Sequence, residues 1–61
     1  MTRNQMNQLK PGSVIEDLTG NKLTVKKVVS DAGIRFVIAT YGKGEDWLVP
    51  SHLEHYSLIK A

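Results

Sequence analysis

The sequence predicts an all-β protein, in the form of a small five-stranded barrel. Short segments with apolar residues at alternate positions recur about every eight to twelve residues, as in all-β domains. Turn signals containing Gly or Pro separate these segments. With 61 residues and no cysteine, the chain has room for one domain at most and depends on apolar packing for its stability.

The turn signals divide the chain into five expected strands. Pro11-Gly12 suits a type II turn, because proline presets φ at the second position and glycine supplies the positive φ at the third. Thr19-Gly20-Asn21 and Asp31-Ala32-Gly33 are two further turns. We therefore expect strands over 13–18, 22–30, 34–41, 47–49 and 55–60, a loop over 42–46, and a 3₁₀ turn over 50–54.

The second expected strand loses its alternation halfway along. Leu23 and Val25 alternate with polar residues, but Lys26 and Lys27 are adjacent. A strict two-residue period would put Lys27 into the core. We therefore predict a bulge or a strong bend at this position.

The third expected strand is apolar on both faces. Ile34, Phe36 and Ile38 alternate with Val37, Ala39 and Tyr41. Such a strand is either buried on both sides or has a second face that meets a partner, which includes a second copy in a homodimer. A terminal segment that covers the second face is the simpler alternative.

Tyr41 and the single tryptophan, Trp47, flank the turn that follows this strand. Each aromatic ring buries about 150 Å² or more, so in a small domain we expect both rings to help form the core. Trp47 in particular has few other large groups to share that role with.

The N-terminal residues 1–8 are rich in Asn and Gln and show no periodicity. We expect them to form a flexible arm before a single domain over 9–61. A short helix that docks Met6 and Leu9 onto the barrel is the alternative. The segment lacks the apolar core of a signal peptide, and no run reaches membrane-spanning length, so we expect a cytoplasmic protein with no membrane partner.

Two segments resemble known small barrels. Trp47-Leu48-Val49-Pro50-Ser51-His52-Leu53 resembles the end of an SH3 domain, where a strand enters a 3₁₀ turn through Pro-Ser-Asn-Tyr. Pro11-Gly12-Ser13-Val14-Ile15, with Asp17 and Gly20, is similar to the first strand and turn of KOW-type SH3-like barrels. The resemblance covers about a third of the chain and implies an SH3-like barrel.

This resemblance does not imply that the chain binds the ligand of SH3 domains. Leu53 replaces the tyrosine that would line a proline-rich peptide groove, and no Ala-Leu-Tyr-Asp-Tyr-like segment is present. The paired glycines of a full KOW motif are also absent. An OB-fold is the alternative architecture, but its extra helix and longer strands would leave too little chain.

No pattern in the sequence indicates catalysis, a metal or a cofactor. Gly42-Lys43-Gly44 precedes Glu45 and Asp46, which would repel a phosphate, and no helix is expected after it. His52 and His55 lack a third ligand fixed by any motif. We expect a protein that is not an enzyme and has no cofactor or metal.

Aromatic and acidic residues near one turn indicate a protein-binding module. Tyr and Trp are favoured anchors of interfaces. We therefore predict a non-catalytic interaction module that binds a protein partner through Tyr41, Glu45, Asp46, Trp47 and Tyr56.

A second hypothesis is weak nucleic-acid binding. The net charge of +2 and the pI of about 9.2 are mildly basic. Phosphate contacts would come from Lys22, Lys26, Lys27 and Arg35, on two neighbouring strands. The simpler interpretation is that outward lysines keep the sheet soluble. A third hypothesis, a small inhibitor or modulator of a host or cellular complex, is compatible with the size alone.

Overall fold

A five-stranded antiparallel sheet forms most of the computed structural model, which describes residues 1–61. In chain order the elements are α1 (Arg3–Asn7), β1 (Val14–Asp17), β2 (Lys22–Asp31), β3 (Ile34–Tyr41), β4 (Gly44–Leu48), a 3₁₀ segment (Pro50–His55) and β5 (Tyr56–Lys60). The strand order is β4-β3-β2-β1-β5, so the last strand pairs with the first. The prediction of an all-β protein with a 3₁₀ segment before the last strand is confirmed.

Two tight turns contain residues with positive φ. The Ser13 N–H donates to the Lys10 carbonyl at 2.9 Å, across Pro11 and Gly12. Gly12 has φ +97°, the positive value that a type II turn needs at its third position. The β2–β3 hairpin turns through Ala32 at φ 51° and Gly33 at φ 79°. Ala32 is the one non-glycine residue with a positive φ, which costs it backbone strain.

The irregularity predicted at Lys27 is confirmed as a bulge in β2. Val25 pairs with Ala39 and Lys27 pairs with Ile38, so Lys26 is the extra residue. Because of this insertion, the strand has apolar side chains directed toward the core both before and after the bulge. The bulge also increases the local twist of this ten-residue strand.

The core lies on one side of the sheet, the inner face, and includes residues from every element except β5. Nine hydrophobic residues are buried there: Met6, Leu9, Ile15, Leu23, Val25, Val37, Ala39, Leu48 and Leu53. The three central strands supply most of this set, while α1 and the 3₁₀ segment close the core with Met6 and Leu53.

Residues 1–8 contain a docked helix, so the expectation of a flexible arm is corrected to its alternative. Thr2 and Gln5 form a capping box: the Gln5 N–H donates to Thr2 Oγ1 at 3.1 Å, and the Thr2 N–H donates to Gln5 Oε1 at 2.9 Å. Met6 is only 2 % exposed. A five-residue helix has no stability of its own. The burial of Met6 holds it, together with the Met1 ammonium, which donates to the Leu53 and Tyr56 carbonyls at 3.1 and 2.8 Å.

The turn after β3 is shorter than the sequence indicates. β4 begins at Gly44, so the expected loop over 42–46 is a two-residue turn, with Gly42 at φ 57°. Glu45 and Asp46 are unfavourable strand residues, yet they pair with Thr40 and Ala39 of β3. Backbone pairing with an existing strand overrides their weak propensity.

Candidate interaction surface

The side of the sheet opposite the core carries an uncovered group of apolar side chains. The register places Ile38 opposite Trp47, and Val37 opposite Leu48, so these two pairs lie on different faces. We call the uncovered side the outer face. Its apolar members form the outer apolar patch: Val29, Ile34, Phe36, Ile38 and Trp47.

Trp47 is the most exposed member of this patch and is not a core residue. Its exposed fraction is 57 %, whereas its neighbour Leu48 is 1 % exposed. The expectation of a buried Trp47 is therefore wrong, because Leu48 takes the inward position and strand alternation turns Trp47 outward. The indole stacks on Phe36 with ring centroids 5.1 Å apart and planes within 9°. This contact orients the indole parallel to the phenyl ring, while much of the tryptophan surface stays exposed.

The residues predicted for a protein-binding site divide between the two sides of β4. Glu45 and Trp47 lie on the outer face. Asp46 and Tyr41 have the opposite parity and lie on the side of Ala39, and Tyr41 is 51 % exposed there rather than in the core. The structure therefore does not bring all five residues into one surface.

Tyr56 belongs to the side of Asp46. Burial raises the pKa of the Tyr56 hydroxyl, and the negative charges of Asp46 and Asp17 raise it further. Asp17 pairs with Tyr56 across the β1–β5 ladder. These contacts give Tyr56 a structural role next to the core, away from the outer apolar patch.

Carboxylates already neutralise two of the lysines proposed for nucleic-acid binding. Lys22 Nζ lies 3.2 Å from Glu16 Oε2, and Lys26 Nζ lies 2.9 Å from Glu45 Oε2. Both pairs are exposed and contribute about 0–1 kcal/mol each. Lys27 has no ion-pair partner and stands opposite Ile38, at the edge of the outer apolar patch. Charges of both signs therefore surround the patch.

Arg35 is separated from these lysines. It has the parity of Val37, so it lies on the inner side of β3. Its Nη2 donates to the Leu9 carbonyl at 3.2 Å. The four cations proposed as one basic surface therefore do not share a face.

The remaining polar clusters have local structural explanations. Asp17 accepts hydrogen bonds from the backbone and side chains of Thr19 and Asn21, and the bond from the Asn21 N–H is the main cause that lowers the pKa of Asp17. These bonds order the β1–β2 turn. The rings of His52 and His55 stack 5.5 Å apart on the 3₁₀ segment, without a third ligand that would complete a metal site.

Comparisons with protein-family models, with curated proteins and with solved structures find no match to this chain. None of the helices is long and apolar enough to cross a membrane. The function is therefore argued from the outer apolar patch and its surroundings. Sequence reasoning missed Phe36, Ile38 and Val29 as members of this surface, although the two apolar faces of the third strand were the signal that pointed to it.

Proposed function

We propose that this protein is a non-catalytic interaction module that binds a protein partner through the outer apolar patch. The exposure of Trp47, stacked on Phe36, carries the proposal. Ile34 lies on the same face and is 56 % exposed. A contiguous exposed apolar surface on a small protein is characteristic of an interaction site, and tryptophan is among the residues that contribute most to binding energy.

The charges around the patch favour a protein partner over nucleic acid. Protein interfaces combine an apolar centre with a polar rim of mixed charge. Here the Lys26–Glu45 pair and Lys27 border the aromatic centre. A phosphate backbone would have to displace carboxylates from Lys22 and Lys26 before it gained either contact.

We also infer that the fold is an SH3-like barrel. The strand order, with the last strand beside the first, supports this assignment. The bulged β2 and the 3₁₀ segment before β5 support it as well. Such barrels carry many unrelated ligands, so the assignment does not identify the partner.

A matched pair of variants tests the proposed protein-binding site. Trp47→Ala removes the exposed ring from the outer face, and Tyr41→Ala removes a comparably exposed ring from the other side of the sheet. Proteins captured by immobilised wild type are compared with those captured by each variant, and the partner so identified is titrated while Trp47 fluorescence is recorded. We expect Trp47→Ala to weaken binding by about 30-fold, as for a dominant interface residue, and Tyr41→Ala to leave it unchanged.

The proposal fails if Trp47→Ala retains the same partner with the same affinity while its circular dichroism spectrum shows an intact fold. Equal losses in both variants would also contradict it, because they would indicate a general loss of structure.

Nucleic-acid binding remains the second candidate, favoured by one observation: the unpaired Lys27 lies beside an exposed aromatic stack. It predicts an affinity for single-stranded oligonucleotides that falls steeply with salt. The Lys26→Glu/Lys27→Glu double variant should abolish that binding. Retention of binding by this charge reversal would exclude the candidate.

A further inference from the structure

A cleft lies at the end of the core and meets the outer apolar patch at Ile34, which belongs to both. Its volume is about 770 Å³, and it lies between α1, the β2–β3 turn and the start of the 3₁₀ segment. Clefts of this size hold small ligands or a few residues of a peptide. Its lining combines two arginines, Arg3 and Arg35, with polar Asn7 and Ser51 and apolar Met6 and Pro50.

The cleft carries positive charge without a counter-charge. No Asp or Glu lines it, and neither Arg3 nor Arg35 forms an ion pair. This differs from Lys22 and Lys26, which carboxylates already neutralise. Positive charge in a concave site with apolar walls is screened less by water and attracts anions more strongly than the same charge on an open surface.

The guanidinium of Arg35 is held in place and keeps unused donors. Its Nη2 is fixed by the Leu9 carbonyl at 3.2 Å. Its Nε is buried and has no hydrogen-bond partner within the protein. Because Nε is enclosed by protein atoms, a ligand in the cleft would be met by the Nη groups of Arg35, of which Nη1 makes no hydrogen bond within the protein. A fixed planar guanidinium suits a carboxylate, which can accept two parallel hydrogen bonds.

We propose that this cleft binds a carboxylate side chain of an acidic peptide segment, with Arg3 and Arg35 as its cationic contacts. The exposed side chain of Ile34 and the partly buried Pro50 line the same cleft and suit an apolar residue next to the acid. A nucleic-acid backbone would need a longer row of cations, but strand alternation places the β2 lysines on the outer face. The cleft and the outer apolar patch share Ile34, but the cationic contacts Arg3 and Arg35 belong to the cleft and not to the patch.

An amide NMR titration of the labelled protein tests this proposal. The probe is a short peptide of alternating aspartate and leucine with blocked termini, and the control peptide has asparagine in place of aspartate. We expect the aspartate peptide to shift the amides of Gly33, Arg35 and Ser51 and the Nε–H signal of Arg35. The asparagine peptide should leave these signals in place, because it cannot form the charged hydrogen bonds.

Two charge-matched variants identify the residues responsible. Arg3 is exposed and makes no hydrogen bond through its side chain, so Arg3→Gln should fold normally. It should weaken binding of the aspartate peptide on the order of tenfold. Lys43→Gln removes the same charge from the exposed β3–β4 turn and should change the affinity little. Trp47→Ala should not change it either, which separates this test from that of the outer apolar patch.

Several results would overturn the proposal. Absence of shifts at the cleft, or equal shifts with the asparagine peptide, would exclude a carboxylate site. Equal weakening by Arg3→Gln and Lys43→Gln would indicate attraction by net charge alone. Shifts at the cleft caused by a single-stranded oligonucleotide or by inorganic phosphate, but not by the aspartate peptide, would assign the cleft to phosphate.

Discussion

The two faces of β3 are both apolar, yet they have different surroundings. On the inner face Val37 and Ala39 are 0 % and 1 % exposed. On the outer face Ile34 is 56 % exposed, and Phe36 and Ile38 are only partly buried. The inner face is covered because α1 and the 3₁₀ segment pack there, with Met6 and Leu53 in the core, while no element crosses the outer face.

The difference shows that two apolar faces of one strand can differ in exposure: the inner face contributes to the core, and the outer face stays uncovered. Both sets of side chains have the hydrophobicity to enter a core. Their roles differ because the chain has too few residues to cover both sides of the sheet. Experiments that treat the two faces separately can therefore test the account.

Substitutions at two adjacent residues of β4 should show the largest difference in their effect on the free energy of unfolding. Leu48→Ala leaves a cavity in the inner core and should lower the free energy of unfolding by about 2–5 kcal/mol. Trp47→Ala removes an outer ring and its contact with Phe36, and should cost about 1 kcal/mol. Urea unfolding followed by far-ultraviolet circular dichroism measures both. Equal losses would mean that the outer face is also part of the core.

The docked helix gives the next largest effect, because it helps to cover the inner face. Met6→Ala should destabilise the fold by about 2 kcal/mol, the low end for a buried methionine, since the helix is terminal. Asn7→Ala, at an exposed position of the same helix, should stay within about 0.5 kcal/mol of wild type. The same urea titration applies. A negligible effect of Met6→Ala on the free energy of unfolding would indicate that the N-terminal segment is a flexible arm instead.

Strand alternation is the main structural signal in the sequence, and it limits how much of this structure can be predicted. Alternation locates the strands and, through the adjacent Lys26 and Lys27, the bulge. It also shows that the third strand has two apolar faces. It cannot show which face is covered, so the sequence predicts Trp47 in the core, whereas the structure places Trp47 on the outer face.

The helix and the cleft depend on contacts between residues that are far apart in the chain, and local sequence patterns do not predict such contacts. The helix over Arg3–Asn7 is stabilised by a tertiary contact of Met6, which local propensity does not contain. The sequence predicts Arg35 beside Lys27 because their strands are neighbours, but Arg35 lies on the inner side of β3 and lines the cleft together with Arg3. Neither contact leaves a periodic signal in the sequence.

A substitution at the tip of the β2–β3 hairpin provides a reference that touches neither face. Ala32 has φ 51°, which glycine adopts without strain. Ala32→Gly should therefore raise the free energy of unfolding by about 0.5 kcal/mol, after allowance for the greater freedom of glycine in the unfolded chain. Ala32→Val should lower it. The opposite order in urea titrations would contradict the positive φ.

The smallest predicted effect is a change in the pKa of Tyr56. It tests whether Asp46 and Glu45 lie on opposite faces of the sheet. The pKa of Tyr56 is raised above 10.0 by burial, with Asp46 as a further cause. The folded protein therefore holds this proton longer than the unfolded chain, so the stability it contributes is present below pH 10.0 and is lost as the pH rises through the folded pKa.

Ultraviolet absorbance of tyrosinate in a Tyr41→Phe background isolates the titration of Tyr56. Asp46→Asn should bring the pKa of Tyr56 back toward 10.0, because it removes the neighbouring negative charge. Glu45→Gln removes the adjacent charge on the outer face and should leave that pKa unchanged. A shift of the same size in both variants would show that the two carboxylates are not on opposite sides.

The central claim is that the outer apolar patch is uncovered in the free protein and available to a partner. Acrylamide quenching of Trp47, the only tryptophan, measures this directly across a dilution series of the folded protein. We expect efficient quenching and a red-shifted emission at low protein concentration, with the ring shielded only when a partner or a second copy binds. A shielded, blue-shifted Trp47 that persists at the lowest concentrations would contradict the account, because the outer face would then be covered within one chain.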